Sequence, residues 1–80
     1  MISRLENGRR VAGINQCRKA VKKGTAAVMF IAEDVENRIK QSLLELCAEH
    51  GVDVVSVPTM GELGRACGIE VGTSAAVLLK

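Results

Sequence analysis

The sequence AVMFIA at residues 27–32 is apolar throughout, with Gly24 shortly before it and the acidic pair Glu33 and Asp34 directly after it. A short, continuous apolar run between turn signals is typical of a β-strand that is covered on both faces. The run therefore predicts a central strand of a sheet that lies between two layers of helices.

The segments on both sides of this strand have the spacing of helices. Before the strand, Ile14, Cys17 and Val21 recur at intervals of three or four residues, with polar residues between them. After it, Asp34 is expected to be the N-cap of a second helix that ends at Gly51. The apolar positions of this second helix are Val35, Ile39, Leu43, Leu46 and Cys47.

The rest of the chain continues the alternation. Residues 9–12, 52–57 and 74–79 are predicted strands, and the second of them is stopped by Pro58. Residues 59–62, TMGE, form a capping box that opens a short helix. Helices on both faces of a central four-stranded mixed sheet make an α/β fold, a three-layer α/β/α sandwich, which we expect to be one domain over residues 1–80. The order of the strands is left open.

The charge of the chain is unevenly distributed. Residues 1–24 contain seven basic side chains and only Glu6 as an acid, a balance of +6, whereas residues 25–80 have a balance of −4. Such asymmetry favours a polyanionic partner for the first third of the chain. The simpler alternative is a helix whose lysines only interact with solvent.

Several classes of protein are disfavoured by the composition. The longest uncharged apolar stretches have nine residues each, whereas a membrane-spanning helix needs about 20. We expect a cytoplasmic protein because the first residues lack the apolar core of a secretory signal. Three scattered cysteines and the single His50 do not form a zinc site. We interpret the cysteines as small apolar residues, with a reactive thiol as the alternative. No catalytic set is present, so we expect neither an enzyme nor a cofactor or metal.

Aromatic stacking is not available for binding either. Phe30 is the single aromatic residue, and it lies in the predicted central strand, where a core position is expected. Proteins that bind single strands through RRM or OB folds need exposed aromatic side chains. If this chain binds RNA, it must therefore recognise folded shape, base edges and phosphates.

The segment GINQCRK at residues 13–19 has the required chemistry. A glycine turn leads into a helix whose first polar residues are amides and are followed by two cations. Free backbone N–H groups and the positive end of the helix dipole attract phosphate. Asn15 and Gln16 can each donate and accept a hydrogen bond, which suits a base edge. The alternative is that Asn15 only caps the helix.

Over nearly its whole length the sequence resembles the kink-turn-binding ribosomal protein family, the L-seven-Ae and L-thirty-e group, and in particular its short bacterial members. Several separated motifs in the same order carry the resemblance. They are Gly13-x-Asn15-Gln16-x-x-Lys19-Ala20, Gly24, Ile31-Ala32-Glu33-Asp34, Leu46-Cys47, Val57-Pro58-Thr59, Leu63-Gly64-Arg65-Ala66-Cys67-Gly68 and a final strand rich in alanine and valine.

The resemblance implies an RNA partner and a mode of recognition. Family members bind a kink-turn, a helix bent by a three-nucleotide bulge next to tandem sheared G·A pairs. By similarity, Asn15 and Gln16 would contact guanine edges, Lys19 a base or phosphate, and Gly13 would let the backbone come close. The expected RNA-binding residues are Gly13, Ile14, Asn15, Gln16, Arg18, Lys19, Lys22, Ile69, Glu70 and Val71, with Arg10 as a further phosphate contact.

The resemblance also implies a second contact, in which Ile69, Glu70 and Val71 form an apolar surface under an extruded nucleotide. Two residues depart from the family pattern. Gln16 stands where archaeal and eukaryotic members usually have glutamate, and Glu70 places a charge in the apolar loop.

The sequence therefore predicts a monomer that binds kink-turns in ribosomal RNA, a riboswitch or another non-coding RNA, in association with the ribosome or apart from it. The competing hypothesis is a protein-interaction module of the same fold that has lost RNA recognition. A basic first third that keeps Gly13, Asn15 and Lys19 speaks against this alternative.

Overall fold

The computed structural model describes residues 9–69 and 71–80, which contain four strands and three helices. The strands are β1 (Arg10–Ala12), β2 (Ala26–Ala32), β3 (Asp53–Val57) and β4 (Ala75–Leu79). The helices are α1 (Ile14–Lys23), α2 (Asn37–His50) and α3 (Met60–Ala66). The predicted alternation of strands and helices is confirmed, with element ends that differ from the predicted ones by one or two residues.

The sheet has the order β1-β4-β2-β3 and is mixed. β4 pairs antiparallel with both β1 and β2, whereas β2 pairs parallel with β3. The apolar run that the sequence placed at the centre lies in β2, one of the two inner strands. β1 is a short edge strand, and its last residue, Ala12, lies opposite Ala76.

Two apolar clusters, one on each face of the sheet, form the core. On one face, α1 and α2 cover Met29, Ile31 and Val77. On the other face, α3 covers Val28, Phe30 and other residues of the same strands. Alternate residues of β2 thus point into different clusters, which explains why the strand is apolar at every position. The three-layer α/β/α sandwich is confirmed.

One predicted helix cap is wrong. Asp34 does not cap α2, which begins after Glu36. Its carboxylate Oδ1 instead accepts a hydrogen bond of 2.9 Å from the backbone N–H of Met60, the first residue of α3. Thr59 is the N-cap of α3, as the capping box predicts, and its hydroxyl accepts from the N–H of Glu62 at 3.1 Å. The turn after β2 is therefore bonded to the start of α3, which lies on the opposite face of the sheet from α2.

The strand ends place several loops at one edge of the sheet. β1, β2 and β3 are each followed by a helix; the ends of β1 and β2 lie next to the start of β4, and the end of β3 lies next to the end of β2. In α/β sheets ligands commonly bind outside the carboxyl ends of the strands. None of the helices in the described part of the chain is both long and apolar enough to cross a membrane.

Candidate functional site

The start of α1 lies at this edge and is shaped by Gly13. Gly13 is the N-cap and has a φ of +98°, a backbone conformation that residues other than glycine rarely adopt. Its N–H donates to the carbonyl of Ala75 at 3.0 Å, which fixes the turn to β4. No side chain caps the helix, so Asn15 is not the N-cap and the capping alternative is wrong. The first N–H groups of α1 have no acceptor within the helix and point outward from its positive end.

The polar face of α1 carries the side chains that the sequence singled out. Asn15, Gln16 and Lys19 are exposed, whereas Cys17, Ala20 and Val21 are buried against the sheet. Asn15 and Lys19 are one helical turn apart and therefore lie on the same side of the helix. Ile14 is different, because its side chain packs partly against the apolar cluster below α1. The helix thus presents two amides and one cation together near its N-terminus.

The structure separates Arg18 from this group. The Arg18 guanidinium donates through Nη2 to the hydroxyl of Ser42 on α2 at 3.0 Å. Arg18 and Lys22 line an open groove of about 230 Å³ between α1 and α2, in which Glu45 and Glu49 also lie. Carboxylates beside these cations lower the local positive potential. Arg18 and Lys19 are adjacent in the sequence but face different surroundings, which helical geometry explains because successive residues are about 100° apart.

Residues 68–72, here called the apolar loop, contain the second predicted contact. Ile69 is 38% exposed and Val71 is 73% exposed, and they are the large apolar side chains in residues 9–69 and 71–80 that stand out as exposed. Glu70 lies outside the described residues. Exposed apolar side chains close together are unusual in a small protein and often belong to a binding surface. The exposure agrees with the platform that the resemblance implies.

The apolar loop is held against α3 by backbone contacts. The N–H of Ile69 donates to the carbonyl of Gly64 at 3.0 Å, and the N–H of Thr73 donates to the carbonyl of Met60 at 3.2 Å. Gly64 is buried, and a methyl group in its place would collide with the carbonyl oxygen of Val71 and would lie 3.1 Å from the Cα of Gly72. Gly64 therefore lets the apolar loop pack closely against α3, a role that the sequence pattern of the helix did not indicate.

Arg10 connects the apolar loop to β1. Its guanidinium donates through Nε and Nη2 to the carbonyl oxygen of Cys67, at 3.2 and 3.1 Å. Nη2 also lies 3.3 Å from the position that a Cβ at Gly68 would take. The phosphate contact that the sequence suggested for Arg10 stays a prediction, and the structure shows a bond to Cys67, the residue that precedes the apolar loop. The first residue of β1, Arg10, is thus bonded to Cys67 just before the apolar loop, and the last residue of β1 leads directly into Gly13.

The three cysteines are buried and lie in two places. Cys17 and Cys47 belong to the cluster under α1 and α2, whereas Cys67 belongs to the cluster under α3. Burial, with smaller effects of the other two thiols, raises the pKa of Cys17 to about 12. Burial also raises the pKa of Cys47 and of Cys67, although the Arg10 guanidinium partly opposes the shift of Cys67. Thiols with raised pKa values stay protonated at neutral pH, which agrees with apolar packing.

Comparison with known sequences identifies relatives over most of the chain. The profile of the ribosomal protein L7Ae/L30e/S12e/Gadd45 family matches residues 3–80. Large ribosomal subunit protein eL8 of Halobacterium salinarum is 47% identical over 68 residues, which are 84% of this chain and 57% of that protein. The chain therefore spans little more than half of this ribosomal relative. A protein of Caldanaerobacter subterraneus named an RNA-binding protein is 43% identical over 68 residues, 85% of this chain and 83% of that protein.

Solved structures have the same fold. A structure of the 15.5 kD RNA binding protein of Giardia lamblia superimposes with a TM-score of 0.87 and is 29% identical, covering 99% of this chain and 70% of that chain. A protein of unknown function from Bacillus halodurans has a TM-score of 0.89 at 24% identity, with 99% of this chain and 83% of that chain covered. The second likeness concerns the fold alone.

Proposed function

The chain belongs to the ribosomal protein L7Ae/L30e/S12e/Gadd45 family, and on that premise we propose that it is an RNA-binding protein that recognises kink-turns. The observation that carries the proposal is the arrangement around β1. The exposed amides and the free N–H groups of α1 follow the last residue of this strand, and its first residue, Arg10, is bonded to Cys67, directly before the exposed apolar loop. Relatives of similar length that are named RNA-binding proteins support the RNA partner.

Each part of this surface has a distinct role in the proposal. Asn15 and Gln16 hydrogen-bond the edges of the sheared G·A pairs, which the kink exposes in a groove that is closed to side chains in ordinary A-form RNA. Lys19 and the N-terminus of α1 contact phosphate, which the helix dipole favours. Ile69 and Val71 pack under a nucleotide that the bulge extrudes. Arg18 and Lys22 lie further from the start of α1 and add charge without reading the sequence.

A protein that binds the kinked conformation better than the extended one shifts the RNA toward the kinked state. Stabilisation of this conformation is the function that we propose, in ribosomal RNA, a riboswitch or another non-coding RNA. The likeness to a large ribosomal subunit protein supports ribosomal RNA as one such partner. RNA crosslinked to the protein in cells, then sequenced, would identify the target.

The central test compares two RNAs of equal length. We expect a hairpin that contains a kink-turn to bind more tightly than a straight duplex at the same salt concentration, in a gel-shift or calorimetric titration. Equal affinity for both RNAs would contradict kink-turn recognition and leave only attraction between charges. No binding to either RNA would favour the competing hypothesis, a protein-interaction module of the same fold.

A further inference from the structure

A long-range hydrogen-bonded contact at Cys67 links the segment just before the apolar loop to the strand that precedes α1. Cys67 follows the last residue of α3, and its carbonyl oxygen accepts two N–H groups of Arg10, which is 57 residues earlier in the chain. Among the described residues in and next to the loop, the N–H groups of Gly68, Ile69 and Thr73 donate to carbonyls of α3. The Arg10 guanidinium therefore provides a direct hydrogen-bonded link between the end of α3, where the apolar loop begins, and β1, which leads into α1.

The local geometry makes this contact selective for arginine. Nε and Nη2 are fixed in one plane, so the guanidinium donates twice to the same oxygen and also lies against Gly68, where a side chain would come within 3.3 Å of Nη2. Lysine has one flexible ammonium group and cannot hold the carbonyl from two directions. Charge alone does not provide the contact.

We propose that Arg10 is a positioning residue for nucleotide recognition: it fixes the apolar loop at the distance from α1 that lets Ile69 and Val71 meet the extruded base while Asn15 reads the G·A pairs. This inference rests on the proposed function. It differs from the phosphate contact expected of a basic residue at this place, because the cation acts within the protein. Arg9, its exposed neighbour, has the same charge but lies outside this set of contacts.

The test uses Arg10→Lys, which keeps the charge and removes the two-point contact, and Arg9→Lys as the matched control. Each protein is titrated with a kink-turn hairpin and with the same hairpin lacking the extruded base (an abasic site at that position). For Arg10→Lys we expect about 3- to 10-fold weaker binding of the intact hairpin, within the range expected for the net loss of one ordinary hydrogen bond, and less than about 2-fold on the abasic hairpin. Arg9→Lys should match the unchanged protein on both RNAs.

A second measurement needs no RNA. Hydrogen exchange at the amide of Ile69, which is bonded to Gly64, should become faster in Arg10→Lys and in Arg10→Met and stay unchanged in Arg9→Lys. Arg10→Lys variants that bind both hairpins like the unchanged protein would overturn the proposal, as would equal losses on intact and abasic RNA. If the unchanged protein does not prefer the kink-turn to a straight duplex, the proposed function fails, and the exchange data then decide only whether Arg10 holds the loop.

Discussion

The substitution Val71→Ser tests whether Val71 belongs to a binding surface or to the core of the fold. Val71 is 73% exposed, so only about a quarter of its side chain is covered in the folded protein. Full burial of a valine is worth about 1.5–3 kcal/mol, and a quarter of this is roughly 0.5 kcal/mol of the free energy of unfolding. For a chain of this size such a loss lowers Tm by about 2–4 °C.

The uncovered part of Val71 is available to RNA. If an extruded base covers the remaining three quarters of the side chain, the contact contributes about 1–2 kcal/mol, or roughly 5- to 30-fold in Kd. We therefore expect Val71→Ser to leave the melting curve nearly unchanged and to weaken kink-turn binding, with a smaller effect on an RNA without the extruded base. Ile69 is 38% exposed, so Ile69→Ser should lower stability more than Val71→Ser does.

Val77→Ser provides the matched control, because Val77 is fully buried in the sheet and the chemical change is the same. It should lower the free energy of unfolding by more than about 2 kcal/mol and leave the affinity of each folded molecule unchanged. Melting curves and titrations at one salt concentration are needed for both variants. The reasoning is refuted if Val71→Ser lowers Tm as strongly as Val77→Ser and binds RNA normally once the folded fraction is counted.

Other changes test the remaining parts of the structure. Asn15→Ala should leave the unfolding free energy within about 0.5 kcal/mol, because Gly13 is the N-cap, and should raise Kd for the kink-turn about 5- to 150-fold in titrations. Lys22→Ala should weaken straight and kinked RNA alike and flatten the salt dependence of binding, measured between 50 and 200 mM salt, roughly the range where counterion release is clear. Gly64→Ala should lower the unfolding free energy by at least about 1 kcal/mol in denaturant titrations, despite the better helix propensity of alanine, because its methyl group collides with the loop backbone. Burial holds the Cys17 pKa near 12 against 9.0 in the unfolded chain, so stability should fall as pH rises above 9.0. Stability of the unchanged protein should then fall by about 1.4 kcal/mol per pH unit more steeply than that of Cys17→Ala.

The layered fold was predictable because its determinants are local. The apolar run in β2 needs cover on both faces whatever its neighbours are, and the spacing of Ile14, Cys17 and Val21 gives a helix with one apolar side. The capping box at Thr59 is likewise a contact between residues three positions apart. Patterns of this kind are complete within a few residues, and the sequence shows them directly.

The misplaced and missed features depend on contacts between distant residues. Asp34 was expected to cap the nearest helix and instead bonds Met60, 26 residues later. For Arg18 the expected phosphate contact stays a prediction, and the structure adds a partner that the sequence did not indicate, Ser42 on another helix. In both cases the observed partner followed only from the packing of the layers.

The proposed RNA-binding surface is supported by β1, and this support affects the free energy of binding. This edge strand has three residues and is held by pairing with β4 on one side only. A surface that must present α1 and the apolar loop in a fixed relation loses affinity whenever its support moves, because the apparent Kd is the intrinsic Kd divided by the fraction of competent molecules. Opening of so short a strand is among the easier local unfolding events in a sheet. The Arg10 contact and the Gly13 bond to Ala75 oppose that opening. The tight fit of Gly64 holds the apolar loop on α3. We therefore expect a part of the proposed affinity for RNA to depend on contacts within the protein.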